Sequence, residues 1–357
     1  LRLPPSLVRQ ADSAFSACVP FRHLPKSLVY YILSFMTLQE IYDLGIEMGI
    51  KADPRGVEAV KRLLARTKKD YEELSEKKRK YFDKESFKNP YSDSRILFGD
   101  PKTKVRKFMA GIDGDASEIL LADRLNYPST GSGLGIDLVI SHHPSGHALS
   151  SLYEVMDIQI DLFADAGVPV NVAHALFEER KAAVRRRFNP LNHTQSVDTA
   201  RLLGIPLLSF HSIWDNLGHS FMEKYLGDRK FDFAGDVLEH INELPEFIEA
   251  TKGKNGPFVV AGSEKRRAGK IVVGFTGGTS PSKELYMEMA KAGVGTIVEM
   301  HVPEESVQEL KKLHINVIDC GHMAADSIGA NLFLDEIERK GVKVIACSGL
   351  IRVKRGR

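Results

Sequence analysis

Apolar positions along this chain switch between two periods, and the switches predict alternating helices and strands. From Thr37 onward, Leu38, Ile41, Leu44 and Met48 recur three or four residues apart, the spacing of one helical face. Thr37 with Glu40 three residues later is a capping signal at the start of that helix. Val57, Val60, Leu63 and Leu64 continue the helical pattern, and the stretch Lys68–Lys84 alternates in sign as a solvated helix does. Lys104–Ile112 reads as a strand entering Asp113-Gly114-Asp115, followed by a helix over Ala116–Asn126. A Gly/Ser loop, Ser129–Gly135, leads into an apolar run ending Leu138-Val139-Ile140-Ser141, a buried strand that stops at His142-His143-Pro144. Helices are predicted near 150–167 and 171–188 and from Thr194. A strand then ends at His211, and Asn216–Leu226 is helical.

A helix near 236–251 and the loop Lys252–Pro257, marked by Gly and Pro, precede a second round of alternation. Its strands are Ile271–Phe275, Gly295–Met300, a run before His322, and Val342–Cys347. Its helices are Ser282–Ala292, Glu304–Leu313 and Ala325–Lys340. Such alternation implies an α/β fold made of two similar layered halves. The expected division is an irregular extension over 1–35, an α/β domain with helical insertions over 36–226, a linker or insertion over 227–265, and a second α/β domain over 266–357. The chain opens on Leu1, and Met36 before the capping signal reads like a natural start. Residues 1–35 are therefore expected to lie upstream of the initiator or to pack poorly. The apolar run Ser27–Met36 is far shorter than the roughly 20 residues of a membrane span, and no small-residue cleavage site follows it.

Composition narrows the function classes. A length of 357 residues suits two domains, and a net charge of +2 offers no argument for nucleic-acid, membrane or acidic partners. Cys18, Cys320 and Cys347 are far apart with no C-x-x-C pair, so no disulfide framework is expected and a reducing, cytoplasmic location is.

The candidate chemistry lies at strand ends, where α/β folds place ligands. His142 and His143 follow one strand. His211-x-x-x-Asp215 and Gly321-His322-x-x-x-Asp326 follow two others. Imidazoles and carboxylates suit transition metals, and histidine and aspartate four apart on a helix start share a face. Side chains of adjacent residues on an extended segment diverge, so His142 and His143 serve two ions better than one, with Asp215 between them. A metal pair of this kind activates water and clamps a charged oxygen.

These motifs resemble the NIF-three-like dinuclear metal-centre family, often labelled GTP cyclohydrolase type two homologues. The segment Asp137–Pro144, His211-x-x-x-Asp215 and Gly321-His322-x-x-x-Asp326 carry the resemblance. Leu97-Phe98-Gly99-Asp100 and Gly111-Ile112-Asp113 look like that family's opening, and the likeness spans about Asp93–Val353. The resemblance implies that His142, His143, Asp215, His322 and Asp326 hold two divalent ions (zinc, iron, manganese, cobalt or nickel), with His211 close by as a proton carrier. It also implies a toroidal homo-hexamer, a dimer of trimers facing a central cavity. Two departures stand out. Asp326 replaces a glutamate, and Glu299-Met300-His301 replaces a Thr-Gly-Glu segment, making His301 a further ligand candidate.

The expected function is metal-dependent hydrolysis of a small nucleotide-like or phosphorylated molecule. The alternative is a non-catalytic protein that stores, delivers or senses metal. Among the remaining features, Gly277-Gly278-Thr279-Ser280 lacks the lysine ending of a P-loop and reads as a tight turn. His147 is a candidate for the cavity wall, His219 for a supporting position, Trp214 for core packing, and the basic tail Arg352–Arg357 for a frayed end.

Overall fold

The structure, a computed structural model, describes residues 35–127 and 135–355. The extension 1–34, most of the Ser129–Gly135 loop and the last two residues lie outside them. The α/β expectation holds in the form of two separate sheets. The first has five strands in the order β11 (Lys343–Cys347), β4 (Lys107–Gly111), β5 (Leu138–Ser141), β6 (Leu207–Phe210) and β2 (Ser94–Phe98), parallel except for the edge strand β2. The second runs β7 (Phe258–Ala261), β10 (Asn316–Asp319), β9 (Val294–Glu299) and β8 (Lys270–Gly274), parallel except for β7. A two-residue strand β1 (Met36–Thr37) pairs with β3 (Lys104–Val105), and Thr37 with Glu40 forms the expected capping box on the helix Leu38–Lys51.

Two helices lie between the sheets and join them. The helix Ser212–Gly227 gives Ile213 and Trp214 to the core of the first sheet, and Met222 and Leu226 to the core of the second. The helix His322–Arg339 divides likewise, with Phe333, Leu334 and Ile337 on one side and Ala324, Ala325 and Ile328 on the other. Both are apolar around much of their circumference, as helices buried on two faces must be. The last strand, read in the sequence as closing the second half, pairs instead with β4 of the first sheet. Residues 227–265, expected as a linker or insertion, hold the helices Ala234–Ile241 and Pro245–Lys252 and the edge strand β7, with Val237, Ile241 and Phe247 fully buried.

Glycines set how closely the middle helices approach. A Cβ on Gly329 would meet the Trp214 carbonyl oxygen at 1.9 Å and the Gly218 nitrogen at 2.9 Å. Gly329→Ala therefore has to push apart the helices that carry Asp215 and Asp326. We expect a loss of about 1–3 kcal/mol of stability, as for other forced overpacking. A urea midpoint unchanged from wild type would contradict so tight a crossing.

Candidate metal centre

The site forms where β5 and β6 end and the two middle helices begin. Beyond β5 the backbone keeps its parallel pairing for two more residues, with the His142 N–H donating to Gly111 O (3.0 Å) and the His143 N–H to Ile112 O (2.8 Å). His211 is the residue before the helix Ser212–Gly227, and Asp215 lies in that helix's first turn. Gly321, at φ +79°, turns the chain from β10 so that His322 opens the second helix and Asp326 follows one turn later. The amino ends of both helices thus lie at the cluster, with Asp215 in the first turn of one and Asp326 one turn into the other.

Six predicted side chains converge here. His142 Nε2 lies 3.3 Å from Asp215 Oδ1 and 3.6 Å from Asp326 Oδ1. Asp326 Oδ2 lies 3.2 Å from His322 Nε2 and 3.7 Å from His143 Nε2. His211 Nδ1 is 3.7 Å from Asp215 Oδ2. Two groups have metal-ligating spacing, His142 with His211 and Asp215, and His142 with His143 and Asp326. The carboxylate lying between His142 and His143 is Asp326, whereas ligand counting had given that place to Asp215. The reason is that Asp326 enters from the second helix with one oxygen turned to each side.

Every imidazole in the cluster is pinned through Nδ1. The His142 Nδ1–H donates to Phe210 O (3.1 Å), His143 to Asp113 Oδ1 (2.7 Å) and His211 to Asp93 Oδ2 (2.8 Å). His322 Nδ1 lies 2.9 Å from His301 Nδ1. Such outer partners fix the tautomer of a metal-ligating histidine and orient its ring. Trp214 is buried and stacks parallel on His142 with centroids 5.8 Å apart, which adds a rigid backing to the core role expected of it.

The remaining geometry suits a cation. His143 Nε2 and His322 Nε2 face each other at 2.9 Å, and both would be bare lone pairs when Nδ1 carries the proton. Asp326 Oδ1 and Oδ2 and Asp215 Oδ1 are buried with no hydrogen-bond partner, although imidazole nitrogens stand close by. Distance alone would make ion pairs of these contacts; the misaligned geometry counts for more, because a hydrogen bond needs direction. Burial works against charge on His142 and His322, but Asp326 and Asp215 outweigh it and raise both above the ordinary histidine value. Burial likewise works against charge on Asp326, yet His142 and His322 hold it below the usual carboxylate range. Burial lowers His143, partly offset by Asp113. Buried carboxylates left unpaired are costly, so this donor set fits metal binding.

A cleft continues from the cluster along Phe275, Thr276, Ser280, Glu299, Met300 and His301. Glu299 is buried, and its pKa is pushed up to about 8 by that burial despite the Tyr286 hydroxyl donating to it at 2.8 Å. A carboxyl raised in the folded state costs no stability below its unfolded pKa. The cost grows as pH rises and is complete above about 8. Glu299→Gln should then match wild type near pH 4 and exceed it at pH 9 by up to roughly 5 kcal/mol. Urea titrations at both pH values would check this, and equal gains at both would sink it.

Other expectations are revised. His147 lines a separate hollow with Tyr81, Asp83 and Arg95, because its short helix turns it away from the cluster. His219 is buried with Nε2 3.3 Å from Glu223 Oε1. His301 meets His322 rather than the carboxylates. The tail is tied down, as Arg355 forks onto the buried Glu246 and Arg352 reaches Asp335 and Glu338. Asp93 and Asp113, which the motifs do not single out as site residues, support the cluster from outside it. Asp113 follows a strand end, as the histidines do, which is a usable signal. Asp93 precedes an unrecognised edge strand and carried none.

A six-residue His/Asp cluster between the two sheets fits a metal-binding class of protein. No family model matches the chain, and no curated protein matches it. Among solved structures it is similar to a NIF3 superfamily protein from Sphaerobacter thermophilus, at 26% identity and TM-score 0.69, covering 89% of this chain and 100% of that one. Reduced HcgD from Methanocaldococcus jannaschii matches at 16% identity and TM-score 0.48 over 87% and 98% of the two chains, and TTHA1606 from Thermus thermophilus at 16% and 0.42 over 74% and 91%. The chain has the fold of the NIF3 superfamily, the family its motifs resemble. Among the described residues no helix is long and apolar enough to cross a membrane.

Proposed function

We propose that His142, His143, Asp215, His322 and Asp326 hold two divalent ions, and that the chain is a metal-dependent hydrolase of a small nucleotide-like or phosphorylated molecule. The observation carrying this reading is the set of buried Asp215 and Asp326 oxygens left without hydrogen bonds beside inward-turned imidazole nitrogens. Imidazole with carboxylate suits zinc, iron, manganese, cobalt or nickel. Bound there, the ions would supply Lewis acidity toward a phosphoryl or carbonyl oxygen and a more acidic water. Asp326, with an oxygen toward each histidine, would be shared between them. His211, oriented by Asp93, would take up or return a proton at Nε2 inside the cleft. Its ring stacks on His142 at 4.8 Å, close enough to serve a reactant held at the cluster.

His143 and His322 are each 35% exposed, so one edge of the cluster faces solvent. That edge suits substrate entry, and it equally suits ion exchange in a metal-handling protein without catalysis. Family resemblance supports a hexameric ring built as a dimer of trimers, and the unpaired Cys320 and Cys347 suit the cytoplasm. The test is turnover of a nucleotide and phosphoester panel by stripped and metal-reloaded protein. Turnover that returns only with metal supports the hydrolase. Readily exchanged metal with no turnover of any compound supports the metal-handling reading instead.

A further inference from the structure

His301 lies outside the ligand set, yet one of the cluster's imidazoles depends on it. Among the four pinned histidines, three donate Nδ1–H to groups that can only accept: a backbone carbonyl for His142 and carboxylates for His143 and His211. Their tautomers are therefore fixed by chemistry. His322 differs, because its Nδ1 faces another imidazole nitrogen, His301 Nδ1, at 2.9 Å. One of the two must donate. His322 Nε2 is turned into the cluster, 3.2 Å from Asp326 Oδ2 and 2.9 Å from His143 Nε2. A lone pair on that nitrogen requires the proton on Nδ1. His301 must then accept at Nδ1 and carry its own proton on Nε2, which lies 3.5 Å from Ser280 Oγ at the cleft wall.

We propose that His301 is a positioning residue that keeps the His322 proton on Nδ1 and so turns its Nε2 lone pair into the cluster. His301 sits just past β9 on the second sheet, whereas Asp93 and Asp113 pin their histidines from residues beside the first. Each sheet thus helps to orient the donors, and the Glu299-Met300-His301 segment gains a role. The inference rests on the metal-binding reading above.

The test uses the full chain, stripped of metal and titrated with Zn²⁺ against a chromophoric chelator. Loss of an outer partner of a metal-ligating histidine typically weakens binding by 10–100-fold. H301A should show a loss of that size for one of the ions. H301N should bind close to wild type, because its side-chain oxygen can accept where Nδ1 did. In the metal-free protein, ¹⁵N NMR at a pH where the ring is neutral should find His322 protonated at Nδ1 in wild type and H301N, and mixed in H301A. Equal zinc affinity in H301A and wild type overturns the inference. So does an H301N as weak as H301A, which would make His301 a direct ligand. Wild-type protein that takes up no zinc removes the metal reading itself, a result distinct from either.

Discussion

Asp326→Asn is expected to cause the largest loss of metal of any single change. The substitution keeps the size of the side chain and removes the one negative charge that faces His142, His143 and His322 together. Its neighbours would then be three imidazoles, with Asp215 facing Nε2 of His142 alone and Asp113 held at the far nitrogen of His143. Losing an outer partner costs roughly 10–100-fold in affinity, and loss of a shared inner carboxylate should exceed that. We expect metal content per chain to fall by at least half, with any turnover falling in step. Elemental analysis of the purified variant checks it, and a full complement of metal would show that the two histidine groups do not depend on this carboxylate.

Arg355→Ala should produce the largest loss of stability. Glu246 is fully buried, and the Arg355 guanidinium grips both of its oxygens, with Nη2 to Oε2 at 2.8 Å. Asn331 Nδ2 adds a third bond to Glu246 Oε1 at 2.8 Å, from the helix that begins at His322. Removing the arginine leaves a buried charge without its partner, a change that typically costs 3–5 kcal/mol. Replacing Glu246 and Arg355 together by apolar residues should recover much of that loss, since desolvating the pair is itself expensive. Denaturant midpoints of the single and double variants would decide. A single variant within 1 kcal/mol of wild type would return the tail to the frayed end expected from its sequence.

The legible parts of the fold were those written in local periodicity. Strands β4, β5, β6, β8, β9, β10 and β11 and most of the helices between them follow from apolar spacing and from punctuation by Gly, Pro and capping residues. In the two larger sheets, both unread strands are antiparallel edges. β2 carries Arg95, whose salt bridge to Asp83 hides an otherwise polar interruption, and β7 is four residues wedged between Pro257 and Gly262. The helix expected near 236–251 is two helices, because Pro245 fits a first turn and not a helix interior. The return of β11 to the first sheet leaves no local trace, since a parallel partner is chosen by the whole topology.

The same division holds at the site. His142, His143, His211, Asp215, His322 and Asp326 were readable because each follows a strand end, and strand ends of an α/β sheet gather. Which carboxylate stands between the histidines was not readable, because it depends on how closely Gly218 and Gly329 let two helices approach. Nor was the support that Asp93, Asp113 and His301 give to the imidazoles, which comes from segments up to 118 residues away. Charge misled where partners are distant. The basic tail looked solvated because Glu246, 109 residues earlier, could not be seen as its acceptor.

Anomalous X-ray diffraction from crystals of protein purified without chelator tests the central claim most directly. Two peaks about 3.5–4 Å apart between His142, His143, Asp215, His322 and Asp326 are the predicted result. A cluster without an anomalous peak after soaking in zinc or manganese, with its imidazoles hydrogen-bonded to the carboxylates instead, would contradict it.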